Sequence, residues 1–303
     1  FDEANPSVRC RLPGGARLHA IARVTDTVHI SCRLLARGLG TLSGLHATGM
    51  FGDDIAAVLA ATARLQVPFG LMFSGGTGVG KSTLLNAWLN AHPANPVLDR
   101  IVLVEDEREL YLDPRRFRNL VTFEAAEANI DGKGAYTMDH YLSRDLRRQT
   151  PQRVALGELK PDGGVMPLLL ALGQGIAQGV ATTIHAPSAE DVLSRIRTYA
   201  AFAPIRVPEE TVLETIAATV DLVVHAARVG GRRVITSVRE FAEYRDGRVT
   251  SAELWRWNPA VGHATRTDAD MTDRVASLLA AAGVDRGILA RQRGAAGGTG
   301  PSW

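Results

Sequence analysis

Cysteine is nearly absent: Cys10 and Cys32 are the two in 303 residues, and they form no C-x-x-C pair. That argues against a disulfide framework and against a cysteine zinc site. Two isolated thiols fit a reducing compartment. An excess of one charge is missing too. The 34 basic and 32 acidic side chains leave a net charge of +2, too little for a nucleic-acid footprint by bulk charge. Aromatic residues make up 6%, and no stripe interleaves them with basic ones. Arginine greatly outnumbers lysine, which reads as compositional bias. The chain opens Phe1-Asp2-Glu3 with no basic region or apolar stretch behind it, so no signal peptide is visible. It lacks an initiator methionine and is expected to be a piece of something longer.

A long hydrophobic run is also missing. Val165 to Ile184 carries no charge over twenty positions, yet Pro167, Gly173, Gly175, Gly179, Gln174, Gln178, Thr182 and Thr183 interrupt it. A buried helix, a glycine turn and a buried strand account for it better than a membrane span. The hydrophobic content of 46% and charged content of 22% are ordinary for a globular protein of one large or two smaller domains.

What is present is a phosphate-binding pattern. Gly75-Gly76-Thr77-Gly78-Val79-Gly80-Lys81-Ser82 spells G-x-x-x-x-G-K-[ST] in full. Pro68–Phe73 before it reads as a buried strand, and Thr83–Leu89 after it as a helix. A glycine-rich turn between strand and helix turns its N–H groups inward, where the helix dipole favours negative charge. Lys81 is expected to reach the terminal phosphates of ATP, with the Ser82 hydroxyl on Mg²⁺ and Thr83 continuing the cradle.

Strands and helices alternate from there. Strands are expected at Arg100–Glu105, Asn119–Glu124, Arg153–Leu156, Val180–Ile184 and Leu222–Ala226, and a closing hairpin at Arg233–Trp257. Helices are expected at Met138–Gln149, Val165–Leu172, Ala189–Ala200 and Pro208–Val220. That order predicts an α/β fold with a central, mostly parallel sheet and its ligand at the carboxyl ends of the strands. Residues 1–40 read as a partial β-rich domain, with a hairpin turn at Pro13-Gly14-Gly15. Residues 41–52 read as a linker, 53–260 as the nucleotide domain, 261–290 as a C-terminal helical segment and 291–303 as a disordered tail.

Three segments at the strand ends carry further chemistry. Glu158 follows the strand Arg153–Leu156, where a carboxylate can orient or deprotonate an attacking water. Glu105, Asp106, Glu107 and Glu109 follow another apolar strand. A charge run is usually a solvated face, but at a ligand edge Glu105 and then Glu109 become candidates for Mg²⁺ or water. His185 follows the strand ending Thr182-Thr183-Ile184, placed to hydrogen-bond a γ-phosphate and sense its loss.

In this order the segments resemble the boxes of the secretion-system ATPases of type II, type IV and tight-adherence (Flp) pilus machines. Ser74–Asn86 is similar to the first box. Val104–Leu110 is similar to the acidic box I-E-D-x-x-E-L. Leu156–Lys160 resembles V-G-E-[IV]-R, and Thr182–Ala186 resembles the histidine box. Asn129-Ile130-Asp131-Gly132-Lys133-Gly134 is similar to the N-I-E-G-x-G turn of the tight-adherence branch. The resemblance runs from about residue 5 to residue 260. It implies a RecA-like P-loop NTPase behind a PAS-like N-terminal domain. It implies a homo-hexamer at the cytoplasmic face of the inner membrane, held there by a platform protein. By resemblance, Arg33 on the N-terminal domain touches nucleotide, and Arg144 and Arg148 reach phosphate. The expected activity is Mg²⁺-dependent ATP hydrolysis for pilus assembly or secretion. A conjugative DNA-transfer motor and a weakened regulatory paralogue stand as alternatives. The second draws on departures from the family pattern at Thr150-Pro151-Gln152, at Lys160, at 161–165 and at 176–179.

Overall fold

Alternating side chains in the first 34 residues build three short strands: β1 (Ser7–Arg11), β2 (Arg17–Ile21) and β3 (His29–Arg33). They form an antiparallel sheet of their own, in the order β1-β2-β3. In this computed structural model the chain divides into two units, Phe1–Leu39 and Gly40–Trp303. The structure describes residues 5–12, 16–34, 40–93, 99–126, 128, 132–161, 165, 168–169, 179–203 and 207–290. The expected turn at 13–15, residues 129–131 of the 129–134 turn, most of the 165–172 helix, the departures at 162–164 and 176–178 and the tail at 291–303 lie outside them. In the first unit, Cys10 and Cys32 both stand opposite Leu18, one on each side of β2. Two strand spacings of about 4.8 Å separate their Cα atoms, beyond the ~7 Å reach of a disulfide. Both are free and exposed.

The second unit is built on a nine-stranded sheet. Six parallel strands form its body: β4 (Phe69–Gly75), β5 (Ile101–Glu105), β6 (Leu120–Glu124), β7 (Arg153–Leu159), β8 (Gly179–Ile184) and β9 (Leu222–Val229). Three antiparallel strands extend one edge: β10 (Arg232–Arg245), β11 (Arg248–Asn258) and β12 (His263–Arg266). The order is β12-β11-β10-β9-β4-β8-β7-β5-β6. Every residue of β4, β5 and β8 is buried, which is why these segments read as unbroken apolar runs.

Alternate residues feed opposite faces. Leu71 and Phe73 pack with helices α1 (Leu42–Ala47), α2 (Asp53–Arg64) and α3 (Lys81–Ala91). Met72, Val102 and Val104 pack on the other face. They meet the helical stretch from Met138 and helices α4 (Asp191–Phe202) and α5 (Glu209–Thr219) there. Trp88 of α3 is buried, and its indole N–H donates to Thr62 of α2 at 3.0 Å, satisfying the one polar atom its burial would strand.

Four expectations are corrected. Residues 41–52 are not a loose linker. Thr41 caps α1 by accepting the Gly44 N–H at 3.0 Å, and Leu42, Leu45, Met50 and Phe51 enter the core. The sheet does not close at residue 260, because β12 pairs with β11. Behind it, α6 (Asp273–Ala281) sends Val275 and Leu279 into the same core. Strand β7 runs to Leu159 rather than Leu156, with a register break against β8 between those residues. The expected 138–149 helix is an α-turn (Met138–His140), a π-helical segment (Tyr141–Asp145) and a 3₁₀ turn (Leu146–Gln149). Tyr141 stacks on Phe123 there, and the Tyr136 hydroxyl donates to Asp145. Those contacts hold the stretch to the sheet at the expense of regular pitch. Thr150, at φ 45°, ends it before Pro151.

Candidate nucleotide site

Because the strands are parallel, the ends of β4, β5, β7 and β8 share one edge of the sheet. Gly75 closes β4 at φ 146°. A Cβ on it would lie 2.2 Å from the Ala226 carbonyl oxygen, so only glycine lets the chain leave the sheet here. Gly78 (φ 71°) and Gly80 (φ 102°) complete the turn, and Gly80 is the N-cap of α3. No side chain caps that helix, so the first-turn N–H groups at Lys81, Ser82 and Thr83 face an anion-binding end.

Lys81 is 7% exposed, and its ammonium donates to the Gly76 carbonyl at 2.9 Å. The same ammonium lies 3.3 Å from Nδ1 and 3.5 Å from Nε2 of His185. His185 Nε2 lies 2.9 Å from Oε1 of Glu158. In the neutral ring, Nε2–H donates to that carboxylate and Nδ1 faces the lysine as acceptor. Lysine, histidine and glutamate, expected separately from three segments, thus stand in one row.

The register break in β7 places Glu158 there. Gly157 and Glu158 occupy the irregular positions, and a bulge re-aims a side chain that regular pairing would direct elsewhere. The Thr183 hydroxyl donates to the Gly157 carbonyl at 2.7 Å, holding the bulge to β8.

Glu105 lies behind Gly157, where a Cβ would come within 3.1 Å of its Cγ. It is 2% exposed, and its Oε1 accepts the N–H groups of Glu109 at 2.8 Å and Leu110 at 3.0 Å. It therefore anchors the acidic turn, a role the sequence did not suggest. Lys160 donates to Asp106 at 2.7 Å, tying β7 to the same turn.

Burial pushes the Glu105 carboxyl up to about 7, against the two backbone N–H groups that favour its charged form. Its folded value exceeds the unfolded one, so the folded chain holds an extra proton between pH ~4.5 and ~7, and stability falls as pH rises through that window. The shift corresponds to about 3 kcal/mol. Glu105→Gln keeps an acceptor for both N–H groups and removes the charge. The variant is expected to melt several degrees above the unsubstituted, nucleotide-free protein at pH 8 and level with it near pH 4.5. Calorimetry at both pH values checks this; an equal difference at both would show that charge is not the cause.

Arg144 and Arg148 are exposed on the 138–149 stretch with local partners. Arg144 approaches His140 at 3.2 Å, and Arg148 donates to the Arg144 carbonyl at 2.6 Å. Arg33 ends the exposed strand β3 of the first unit. Within the second unit the structure joins Lys81, His185 and Glu158 in one row, sets the Glu105 side chain beside Gly157 with the Glu109 backbone on it, and gives Arg144 and Arg148 partners on their own stretch. Among the described residues no cluster of three or more His, Cys, Asp or Glu forms a cation site. Mg²⁺ in phosphate sites keeps several waters and takes one or two protein oxygens beside substrate phosphates. The Ser82 hydroxyl at the helix end and the Glu105 and Glu158 carboxylates are the donors of that kind. Sequence reasoning missed His225, buried at the foot of the loop with Nδ1 2.9 Å from Ser74 Oγ. Its polarity inside the apolar strand Leu222–Ala226 was the available signal.

A family model described as type II/IV secretion system protein matches residues 1–290. A protein of Mycobacterium tuberculosis (strain H37Rv), provisionally described as a conjugal transfer protein, is 33% identical over 287 residues, covering 92% of this chain and 75% of its own length. Among solved structures, the VirB11 ATPase of the Brucella suis type IV secretion system aligns with a TM-score of 0.51 at 22% identity, over 78% of this chain and 74% of that one. The Legionella pneumophila ATPase DotB aligns with a TM-score of 0.55 at 19% identity, over 80% and 63%. The large mixed sheet is the RecA-like architecture of these ATPases.

Proposed function

The chain belongs to the type II/IV secretion system protein family, and on that premise we propose that it is a Mg²⁺-dependent ATP hydrolase working as a hexameric motor for pilus assembly or secretion. The observation that carries this reading is the row Lys81–His185–Glu158 beside the glycine cradle. The Gly75–Gly80 turn and the α3 N-terminus hold the phosphates. Lys81 neutralises charge that develops between the β- and γ-phosphates. Glu158, oriented by His185, takes or directs the proton of the attacking water as the terminal P–O bond to ADP breaks. Ser82 with Glu105, Glu109 or Glu158 would hold Mg²⁺, which would supply further charge neutralisation. Arg33, Arg144 and Arg148 add guanidinium charge as subunits close on nucleotide.

Among the described residues no helix is long and apolar enough to cross a membrane. In this reading a membrane platform protein holds the ring at the cytoplasmic face. The tight-adherence branch is the preferred placement. The relative provisionally described as a conjugal transfer protein favours a second reading, in which the same motor serves a DNA-transfer machine. The net charge of +2 argues against that second reading.

Phosphate release from MgATP, followed while sedimentation reports particle mass, tests the proposal. Release by a six-subunit particle is expected. No release in any assembly state overturns the hydrolase; release by a stable monomer overturns the ring; stimulation by DNA selects the second reading.

A further inference from the structure

The phosphate loop has a second neighbour, on the side away from His185. In the sheet β4 lies between β8 and β9, and Gly75 pairs with Ala226 of β9. Val224 and Ala226 are buried in the core that α3 shares. Residues two apart in a strand share a face, so the same row runs on to Arg228, past the end of β4. Arg233 of β10 stands directly opposite Arg228 in the antiparallel register. Gly230 (φ 55°) and Gly231 (φ 79°) join the two strands, with the positive φ that a two-residue hairpin turn needs.

Both arginines are exposed, and both stand at the loop. Nη2 of Arg228 lies 3.4 Å from the Gly78 carbonyl oxygen. A Cβ on Gly80 would lie 3.9 Å from Cδ of Arg233. The hairpin is anchored in that place. The Ile235 N–H donates to the Met50 carbonyl at 2.8 Å, and Arg232 donates to the Gly49 carbonyl at 3.2 Å. Like charges directly opposite on paired strands are destabilising. Among the described residues no carboxylate pairs with Arg228 or Arg233, so nothing in the hairpin offsets that cost.

The row Lys81–His185–Glu158 runs from the loop across β8 to β7. The arginines stand over β9, on the other side of β4. A triphosphate laid along the loop with its γ end at that row therefore carries its nucleoside end toward the hairpin. We infer that Arg228 and Arg233 form a cationic wall that receives the α-phosphate of the nucleotide. A guanidinium group is always charged, and its forked donors match phosphate oxygens. Lys81 and the helix end hold the phosphates beyond it. The inference rests on the nucleotide binding in the reading above, but not on hydrolysis.

Calorimetric titration of the full chain with ADP and with a non-hydrolysable ATP analogue tests it. Among the described residues Arg233 makes no hydrogen bond, so Arg233→Ala removes charge without releasing the loop. Affinity for both ligands is expected to fall about tenfold and by the same factor, the lower end for a charged hydrogen bond. The loss is expected to shrink at about 0.5 M salt, where exposed charges are screened. Arg233→Lys keeps the charge and is expected to recover part of it. Arg228→Ala is expected to act in the same direction. Unchanged affinity in both alanine variants overturns the inference. A larger loss for the ATP analogue than for ADP places the arginines at the γ-phosphate and overturns it too. An equal loss that ignores salt and is not recovered by lysine makes the hairpin a support of the loop, and also overturns it. If the unsubstituted protein binds neither nucleotide, the proposed function fails together with this inference. If it binds both and releases no phosphate, the hydrolase reading alone fails.

Discussion

Lys81→Ala is expected to bring phosphate release to background and to weaken ATP binding about a hundredfold. Lys81 is buried, begins α3, and holds its ammonium between the Gly76 carbonyl and the His185 ring. That position gives it little freedom, so its charge is already placed when phosphate arrives. A hydrogen bond between charged partners is worth about 1.5–3 kcal/mol, and its upper end corresponds to roughly a hundredfold in affinity. Binding does not vanish, because the turn glycines and the uncapped helix end remain as backbone donors. The fold is expected to survive: the helix contributes Leu84, Leu85, Trp88 and Leu89 to the core, and none depends on the ammonium. Titration with a fluorescent ATP analogue and a phosphate-release assay read the two effects. Unchanged affinity would mean that Lys81 does not meet the phosphates.

How much of this was legible in the letters depended on the range of the interaction. The phosphate loop was legible because its constraint is local: Gly75, Gly78 and Gly80 all take positive φ within one turn, and the spacing to Lys81 follows from that turn. The parallel sheet was legible because its strands are buried on both faces. The 41–52 segment was misread because its glycines outweigh a helix of six residues, whose stability comes from burying Leu42 and Leu45 rather than from propensity. Glu158 was named as a carboxylate after a strand, but the bulge that aims it is a register relation with β8. Glu105 was named for its charge, whereas two N–H groups claim its Oε1. His225 went unnamed because its partner, Ser74, lies 151 positions away and no spacing rule connects them.

Glu158→Gln separates holding ATP from cleaving it. Glutamine has the same length, and its amide oxygen accepts the His185 Nε2–H as the carboxylate oxygen does at 2.9 Å. The lysine, the glycine turn and the helix end are untouched, so affinity for ATP is expected to stay within a few-fold. What is lost is the ability to take a proton from water, and general-base catalysis contributes about a hundredfold to ten-thousandfold. Phosphate release is therefore expected to slow by at least about a hundredfold while nucleotide remains bound. The Thr183–Gly157 contact fixes the bulge through backbone and hydroxyl alone, so the substitution leaves the local geometry in place. Single-turnover measurements with prebound ATP isolate the chemical step. A rate near that of the unsubstituted protein would remove Glu158 from the reaction. A parallel loss of affinity would instead make it a structural partner of His185.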